Sequence, residues 1–153
     1  MPPTIEAAAG RLGLGPIDQV SYVVADMDAS LPLYEAIYGP FEVAEARMDR
    51  CWVRGASADC TLKLAVNRSG PIEIELIEVR EGETPHSEHL RARGEGLHHV
   101  RFRVASLEQK LEELEREGFE VVFRKRFGPN VAFAYVETPA ALGRSLLELL
   151  ELP

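Results

Sequence analysis

The feature that most constrains this chain is an internal repeat. Asp18-Gln19-Val20-Ser21-Tyr22-Val23-Val24-Ala25 aligns with His98-His99-Val100-Arg101-Phe102-Arg103-Val104-Ala105 at an offset of 80. Met27, Leu31 and Tyr34 fall on Leu107, Leu111 and Leu114 at that offset, and Phe41-Glu42-Val43 falls on Phe119-Glu120-Val121 at an offset of 78. Ile74-Glu75-Leu76-Ile77-Glu78 matches Leu147-Glu148-Leu149-Leu150-Glu151 at an offset of 73, so each half closes on an apolar strand with an embedded Glu. A chain of this kind is two copies of one unit, and equivalent side chains of the copies are expected to meet in one place.

Local signals define the unit. Ser106 followed by Gln109 is a capping box, and Leu107, Leu111 and Leu114 repeat at helical spacing, which predicts an amphipathic helix over 106–117 that Gly118 stops. In the first half, Ala25-Asp26 precedes a helix near 27–38 with Leu31, Tyr34 and either Ile37 or Tyr38 inward, Pro32 in its early part and Gly39-Pro40 at its end. Hairpins are predicted for Thr61–Val66 with Ile72–Glu78, and for Val131–Glu137 with Ser145–Leu150. The pattern is βαβββ twice: a tail over 1–15, a first module over 16–80, a linker over 81–95 with a short helix at Pro85–Arg93, and a second module over 96–153. The fold class is α+β, with the two βαβββ modules forming a cupped mixed β-sheet and helices on its convex face.

Strand alternation then selects residues. If Val20, Tyr22 and Val24 pack on the helix together with Asp18, then Gln19, Ser21 and Val23 face the cup. By the same parity His99, Arg101 and Arg103 face it and His98 points away. On the closing strands Ile74 and Leu76 face the helices while Glu73 and Glu75 face the cup; Leu147 and Leu149 likewise oppose Leu146, Glu148 and Leu150. Gln19, Glu75, His99 and Glu148 are thus four polar groups at equivalent positions of a repeat. An amide oxygen, an imidazole nitrogen and two carboxylates form a mixed N/O set for Zn²⁺, Ni²⁺, Co²⁺ or Mn²⁺.

Composition closes off other classes. The 153 residues are 46% hydrophobic and 27% charged, enough for a real core, and the net charge of −8 argues against a nucleic-acid backbone as partner. No apolar run approaches a membrane span, and Met1 to Gly15 lacks the pattern of a signal peptide, so a cytoplasmic protein without a membrane partner is expected. Cys51 and Cys60 read as free thiols. His86 and His89 on the polar linker read as surface residues, and Glu108 to Glu117 as a solvated helix face.

The whole arrangement over about 16–152 resembles the vicinal oxygen chelate superfamily, whose paired βαβββ modules form a cup around a divalent metal. Thr84-Pro85-His86-Ser87-Glu88-His89-Leu90-Arg91-Ala92-Arg93-Gly94-Glu95-Gly96-Leu97-His98-His99-Val100 is similar to the linker and second-module start of methylmalonyl-CoA epimerases. Ile74-Glu75-Leu76 and Leu147-Glu148-Leu149 resemble their ligand strands, and Val131-Ala132-Phe133 their penultimate strand. Most such epimerases carry a His where this chain has Gln19, so its Gln, Glu, His, Glu set is similar to that of glyoxalase I. The hairpin strand Thr61-Leu62-Lys63-Leu64 lacks the second acid/base Glu that some epimerases place there.

The resemblance implies a divalent-metal-dependent isomerase or epimerase acting through a metal-stabilised enolate, with an acyl-CoA such as methylmalonyl-CoA as small-molecule substrate. Glu148 is the first choice for moving the proton, with Glu73 or Glu75 on the opposite face. Arg101 is positioned either to hold a substrate carboxylate or to pair with Glu73 or Glu75, and Ser21 is a candidate substrate contact. The alternatives are a glyoxalase-like lyase or isomerase on another α-oxygenated carbonyl compound, or a small-molecule binding or resistance protein. By resemblance the assembly is a homodimer.

Overall fold

The computed structural model describes residues 10–153. The expectation that no leader precedes the modules falls largely on residues 1–9, which lie outside that range. The elements are β1 (Ile17–Val23), α1 (Met27–Tyr38), β2 (Glu42–Val53), β3 (Ala56–Asn67), β4 (Glu73–Glu81), α2 (Pro85–Arg93), β5 (Gly96–Arg103), α3 (Leu107–Arg116), β6 (Glu120–Gly128), β7 (Val131–Glu137), a 3-10 turn (Ala140–Leu142) and β8 (Leu146–Glu151). Each half is β-α-β-β-β, and α2 occupies the connection between them.

Hydrogen bonding unites all eight strands in one closed mixed sheet, in the order β1-β4-β3-β2-β6-β7-β8-β5. β1 runs parallel to β4 and β5 parallel to β8, which requires the long intervening connections; the remaining pairs are antiparallel. The modules join edge to edge through β1 and β5, and again through the short contact of β2 with β6. Two layers of apolar side chains follow from strand alternation. Inside the barrel Met48, Cys51, Cys60, Leu62, Ile77, Val122, Phe123, Phe133 and Tyr135 pack together. Outside it, Val24, Met27, Ala65 and Leu76 pack beneath α1, and Leu107, Leu111, Leu114, Val136 and Leu149 beneath α3. Both cysteines are free and buried.

The repeat is preserved down to single hydrogen bonds. The Glu78 carboxylate accepts from Met27 N at 2.6 Å and the Glu151 carboxylate from Leu107 N at 2.8 Å, so the closing strand of each module caps the N-terminus of its own helix. Asp26 and Ser106 cap the same helices from within the sequence. On α1 the open choice falls to Tyr38, whose hydroxyl lies 3.1 Å from that of Tyr22, while Ile37 is 72% exposed. Thr84 and Ser87 form a reciprocal capping box around Pro85, which lets the short α2 start abruptly. Part of the predicted tail is packed: Leu12 and Leu14 sit against the α3 layer, and Lys110 Nζ donates to the Leu12 carbonyl at 2.8 Å. Among the described residues no helix is long and apolar enough to cross a membrane.

Burial opposes the charged form of Glu78, but hydrogen bonds from Arg80 and Met27 N outweigh it and hold its carboxyl below the ordinary value; the Leu107 N–H, and then Arg126, do the same for Glu151. Depressed folded-state values contribute stability that is present above the unfolded carboxylate pKa of about 4.3 and lost as pH falls through the folded value. Denaturant midpoints measured from neutral to acid pH are therefore expected to fall as the solution is acidified through this range. E78Q and E151Q will each lower the neutral-pH midpoint and flatten the acid limb. An acid limb unchanged in both variants would show that these caps carry no stability.

Candidate functional site

The β1–β5 pairing builds the site. It sets Ser21 opposite His99 and Gln19 opposite Arg101, while β4 places Glu75 beside Ser21 and β8 places Glu148 beside Arg101. Gln19, Glu75, His99 and Glu148 consequently converge at one end of the barrel interior. His99 Nε2 lies 2.9 Å from Glu148 Oε2, 3.3 Å from Gln19 Oε1 and 3.9 Å from Glu75 Oε1.

Two of the parity assignments need correction. His98 does not point away: the β1–β5 register shifts between Ser21 and Tyr22, leaving His98 as an extra residue of β5, and a bulge breaks the strict alternation of faces. It is buried beside His99, their Nδ1 atoms 2.8 Å apart. Asp18 sits at a second register shift and turns to Arg101, accepting from its Nε at 2.8 Å, instead of packing on the helix side with Val20. The linker reading of His86 also fails. Its ring is fully buried, stacked on His98 with centroids 4.6 Å apart, because α2 folds back over the N-terminal end of β5. His89 is half-buried and meets the His98 ring edge-on.

Hydrogen bonding determines which atoms of the site carry lone pairs. Gln19 Nε2 donates to Glu73 Oε1 at 2.7 Å, and since a carboxylate only accepts, the amide oxygen must face His99. The Pro85 carbonyl, 3.3 Å from His98 Nε2, likewise only accepts, so that nitrogen bears the proton. Burial, then the neighbouring His86 and His99, hold the His98 pKa well below its usual value, so the ring is neutral. Its Nδ1 is then an acceptor for His99 Nδ1–H, which leaves Nε2 as the ring atom of His99 that faces Gln19 and Glu75 and hydrogen-bonds Glu148 at 2.9 Å. Two carboxylates, an amide oxygen and an imidazole nitrogen converge, a set that would hold a divalent cation in place of the His99–Glu148 hydrogen bond. Burial, then the charge of Glu148, push the Glu75 carboxyl up to about 7 against the opposing pull of His99, Ser21 and Arg101. A cation in this position would relieve the repulsion between the two carboxylates.

The other sequence-selected residues serve the four. Ser21 is fully buried and its Oγ donates to Glu75 Oε1 at 2.9 Å. Glu73 accepts from Gln19 and, at 2.9 Å, from Arg68 Nε, with Arg101 Nη1 3.6 Å away. Arg101 is committed to Asp18 as well as to Glu73, and Arg103 also donates to Asp18.

Sequence reasoning passed over Tyr135. It lies opposite Glu148 in the β7–β8 register and its ring is 4.7 Å from that of His99; its inward parity with Phe133 was a usable signal. Its hydroxyl lies 2.9 Å from His86 Nε2, and His86 Nδ1 lies 3.0 Å from Thr84 Oγ1. Nitrogens of His86, His98 and His99 come within 4.8 Å of one another, but hydrogen bonds occupy those of His86 and His98, so these two rings form a wall behind His99. A cavity of about 510 Å³ borders that wall, lined among others by Pro85, His89, Leu97, His98 and His99.

Loss of the His98 acceptor should loosen His99 and weaken divalent-metal affinity about 10–100-fold. Calorimetric titration of Zn²⁺, Co²⁺, Ni²⁺ and Mn²⁺ into H98A checks this, and H98Q, which keeps an acceptor, is expected to recover part of the loss. Equal affinity of H98A and wild type would show that the tautomer of His99 is not set from behind.

A model of the glyoxalase/bleomycin resistance protein/dioxygenase superfamily matches residues 18–135. No curated protein matches the chain. Among solved structures, the methylmalonyl-CoA epimerase of Mycobacterium tuberculosis is similar over 92% of this chain and 89% of its own, with 20% identity and a TM-score of 0.62. A hypothetical protein of Bacillus halodurans is similar over 90% of this chain and 94% of its own, with 22% identity and a TM-score of 0.64. The methylmalonyl-CoA epimerase of Streptomyces coelicolor, in complex with 2-nitronate-propionyl-CoA, is similar over 91% of this chain and 98% of its own, with 23% identity and a TM-score of 0.59. At these identities the likeness is one of fold.

Proposed function

The chain belongs to the glyoxalase/bleomycin resistance protein/dioxygenase superfamily, and from that premise we propose that it is a divalent-metal-dependent isomerase or epimerase of an acyl-CoA, working by proton transfer at the carbon next to the thioester carbonyl. The observation that carries this reading is the convergence of Gln19 Oε1 and the Glu148 and Glu75 carboxylates on Nε2 of His99. These four residues would hold the ion. When bound, it would act as a Lewis acid toward substrate oxygens and lower the cost of the negative charge that develops on deprotonation.

The chain's own groups divide the remaining tasks. Glu148 is the general base, since its side chain is one-tenth exposed and its carboxylate would be within reach of a substrate C–H held beside His99. Glu75 is the group suited to the opposite face of the carbon, because the Glu73 carboxylate is already engaged by Gln19 and Arg68. Glu73 and Ser21 act as positioning residues, fixing the amide of Gln19 and the carboxylate of Glu75. Arg101, tethered by Asp18, supplies positive charge beside Glu148. The acyl-CoA class is supported by the likeness to methylmalonyl-CoA epimerases.

Incubation with methylmalonyl-CoA deuterated at Cα is expected to release the label to solvent. E148Q should slow the exchange by about 10²–10⁴-fold, the usual worth of a general base, and a chelator should abolish it until Zn²⁺, Co²⁺, Ni²⁺ or Mn²⁺ is returned. Turnover of methylglyoxal with glutathione, in the absence of any exchange from the acyl-CoA, would replace this substrate class. A chain that takes up no metal yet binds an organic ligand tightly would be a binding protein.

A further inference from the structure

The barrel wall is thinnest where it closes. β2 and β6 pair at Trp52↔Arg124 and Val53↔Phe123, extended by the bond from Arg54 N to the Val122 carbonyl at 3.1 Å, and β2 shifts register between Met48 and Cys51, with Arg50 held at a φ of 52°. A non-glycine residue in the left-handed region is a costly conformation, of a sort that recurs at binding sites. Beyond the paired residues the strands part, and a cavity of about 410 Å³ opens between them, lined among others by Arg50, Trp52, Arg124, Lys125, Arg126 and Phe133. That volume is within the usual range for a small-molecule site, about 300–1,000 Å³.

The cavity crosses the sheet. Trp52 packs with the layer under α3, whereas Phe133 belongs to the barrel interior. Arg124 and Arg126 approach Glu108 of α3 on the outside, while Lys125 lies over Phe127, which itself contacts Phe133. Phe133 in turn contacts Tyr135, the neighbour of His99, so the seam reaches toward the metal-ligand set from outside the barrel.

Its charge is opposite to that of the molecule. In a chain of net charge −8, four cationic side chains surround one cavity. Glu108 is shared between Arg124 at 3.9 Å and Arg126 at 3.5 Å, and Glu151 engages Arg126 at 3.4 Å. Among the described residues the Arg50 guanidinium and the Lys125 ammonium have no carboxylate within 4.0 Å, the nearby Asp59 carboxylate accepting from the Arg50 backbone N–H at 2.8 Å; Lys125 Nζ donates only to the Asp49 carbonyl. The Arg124 guanidinium lies 5.5 Å from the centre of the Trp52 ring, a contact that pre-orders it for a phosphate. Clustered guanidinium and ammonium groups recognise phosphate, and the indole and phenyl walls suit a planar base.

We infer that this seam binds a phosphorylated nucleotide, with phosphates on Arg50, Arg124 and Lys125 and the base against Trp52 and Phe133. As the seat of a coenzyme A nucleotide the inference rests on the acyl-CoA reading above; a free nucleotide offers the same chemistry.

Trp52 is the chain's single tryptophan, so its emission reports occupancy. The full chain, stripped of metal by chelator, is titrated with coenzyme A, adenosine 3′,5′-bisphosphate, ADP and unphosphorylated pantetheine, with calorimetry as a second readout. The phosphorylated probes are expected to saturate and pantetheine not. R50E and R50A/R124A are expected to raise Kd by about tenfold or more, the worth of one lost charge-assisted phosphate contact, and added salt to weaken binding. Coenzyme A binding tightest assigns the seam to the acyl-CoA, and ADP binding tightest assigns it to a free nucleotide. No binding of any phosphorylated probe by either readout, or wild-type affinity in both variants, would overturn the inference. Nucleotide binding without deuterium exchange would leave the seam standing and remove the catalytic reading. Exchange with an unchanged KM in R50A/R124A would keep the catalytic reading and remove the coenzyme A assignment of the seam.

Discussion

The antiparallel pairing of β1 with β5 is the contact on which the rest depends. It sets the first strands of the two repeats edge to edge, so that Ser21 meets His99 and Gln19 meets Arg101, and it lets the parallel partners β4 and β8 bring Glu75 and Glu148 in from either side. A slip of one residue in this register would exchange the faces of every side chain on the strand and turn Gln19 and His99 into the helix layer. Hydrophobic packing on both sides of the sheet resists such a slip. Val24 and Leu76 are bound to the α1 layer, and Leu149 to the α3 layer.

Placing two carboxylates at the end of an apolar barrel is costly, and the surrounding structure is organised around that cost. Ser21 donates to Glu75, Arg101 stands between Asp18 and Glu73, and Gln19 turns its amide hydrogens to Glu73 and its oxygen inward. Behind the imidazole, the start of α2 contributes the Pro85 carbonyl, and the chain Pro85, His98, His99 passes a fixed tautomer into the site. The amide hydrogens of Gln19 and the Nδ1–H of His99 are used outside the central cluster, so the atoms these two residues turn inward are Oε1 and Nε2. The α2 connection is therefore part of the site and not a spacer.

The repeat, the α+β class and the inward positions of Gln19, Glu75, His99 and Glu148 were legible because they depend on periodicities of two and 3.6, which act within one element. Asp18 and His98 were misplaced for a specific reason. A bulge is a property of two paired strands, and nothing within Gly96–Arg103 alone announces that an extra residue will be accommodated opposite Ser21 and Tyr22. His86 was misread because its burial comes from α2 folding over β5. A polar stretch with a weak helical pattern carries no record of what it covers. Whether Arg101 would be free for a substrate or tied to a neighbour also depended on Asp18, whose direction the bulge decides.

Taken by itself, the sequence determined that two equivalent βαβββ units exist, which face of each strand is apolar, and which residue types each unit contributes at equivalent places. Those are short-range consequences of side-chain spacing and helix capping. Only the tertiary structure decided that the sheet closes through Trp52 and Arg124, that His98 and Pro85 stand behind His99, and that cationic side chains from β2 and β6 gather at one seam. Each of these depends on contacts between residues far apart in the chain. Their geometry is set by register, twist and bulges of the assembled barrel, which no local pattern encodes.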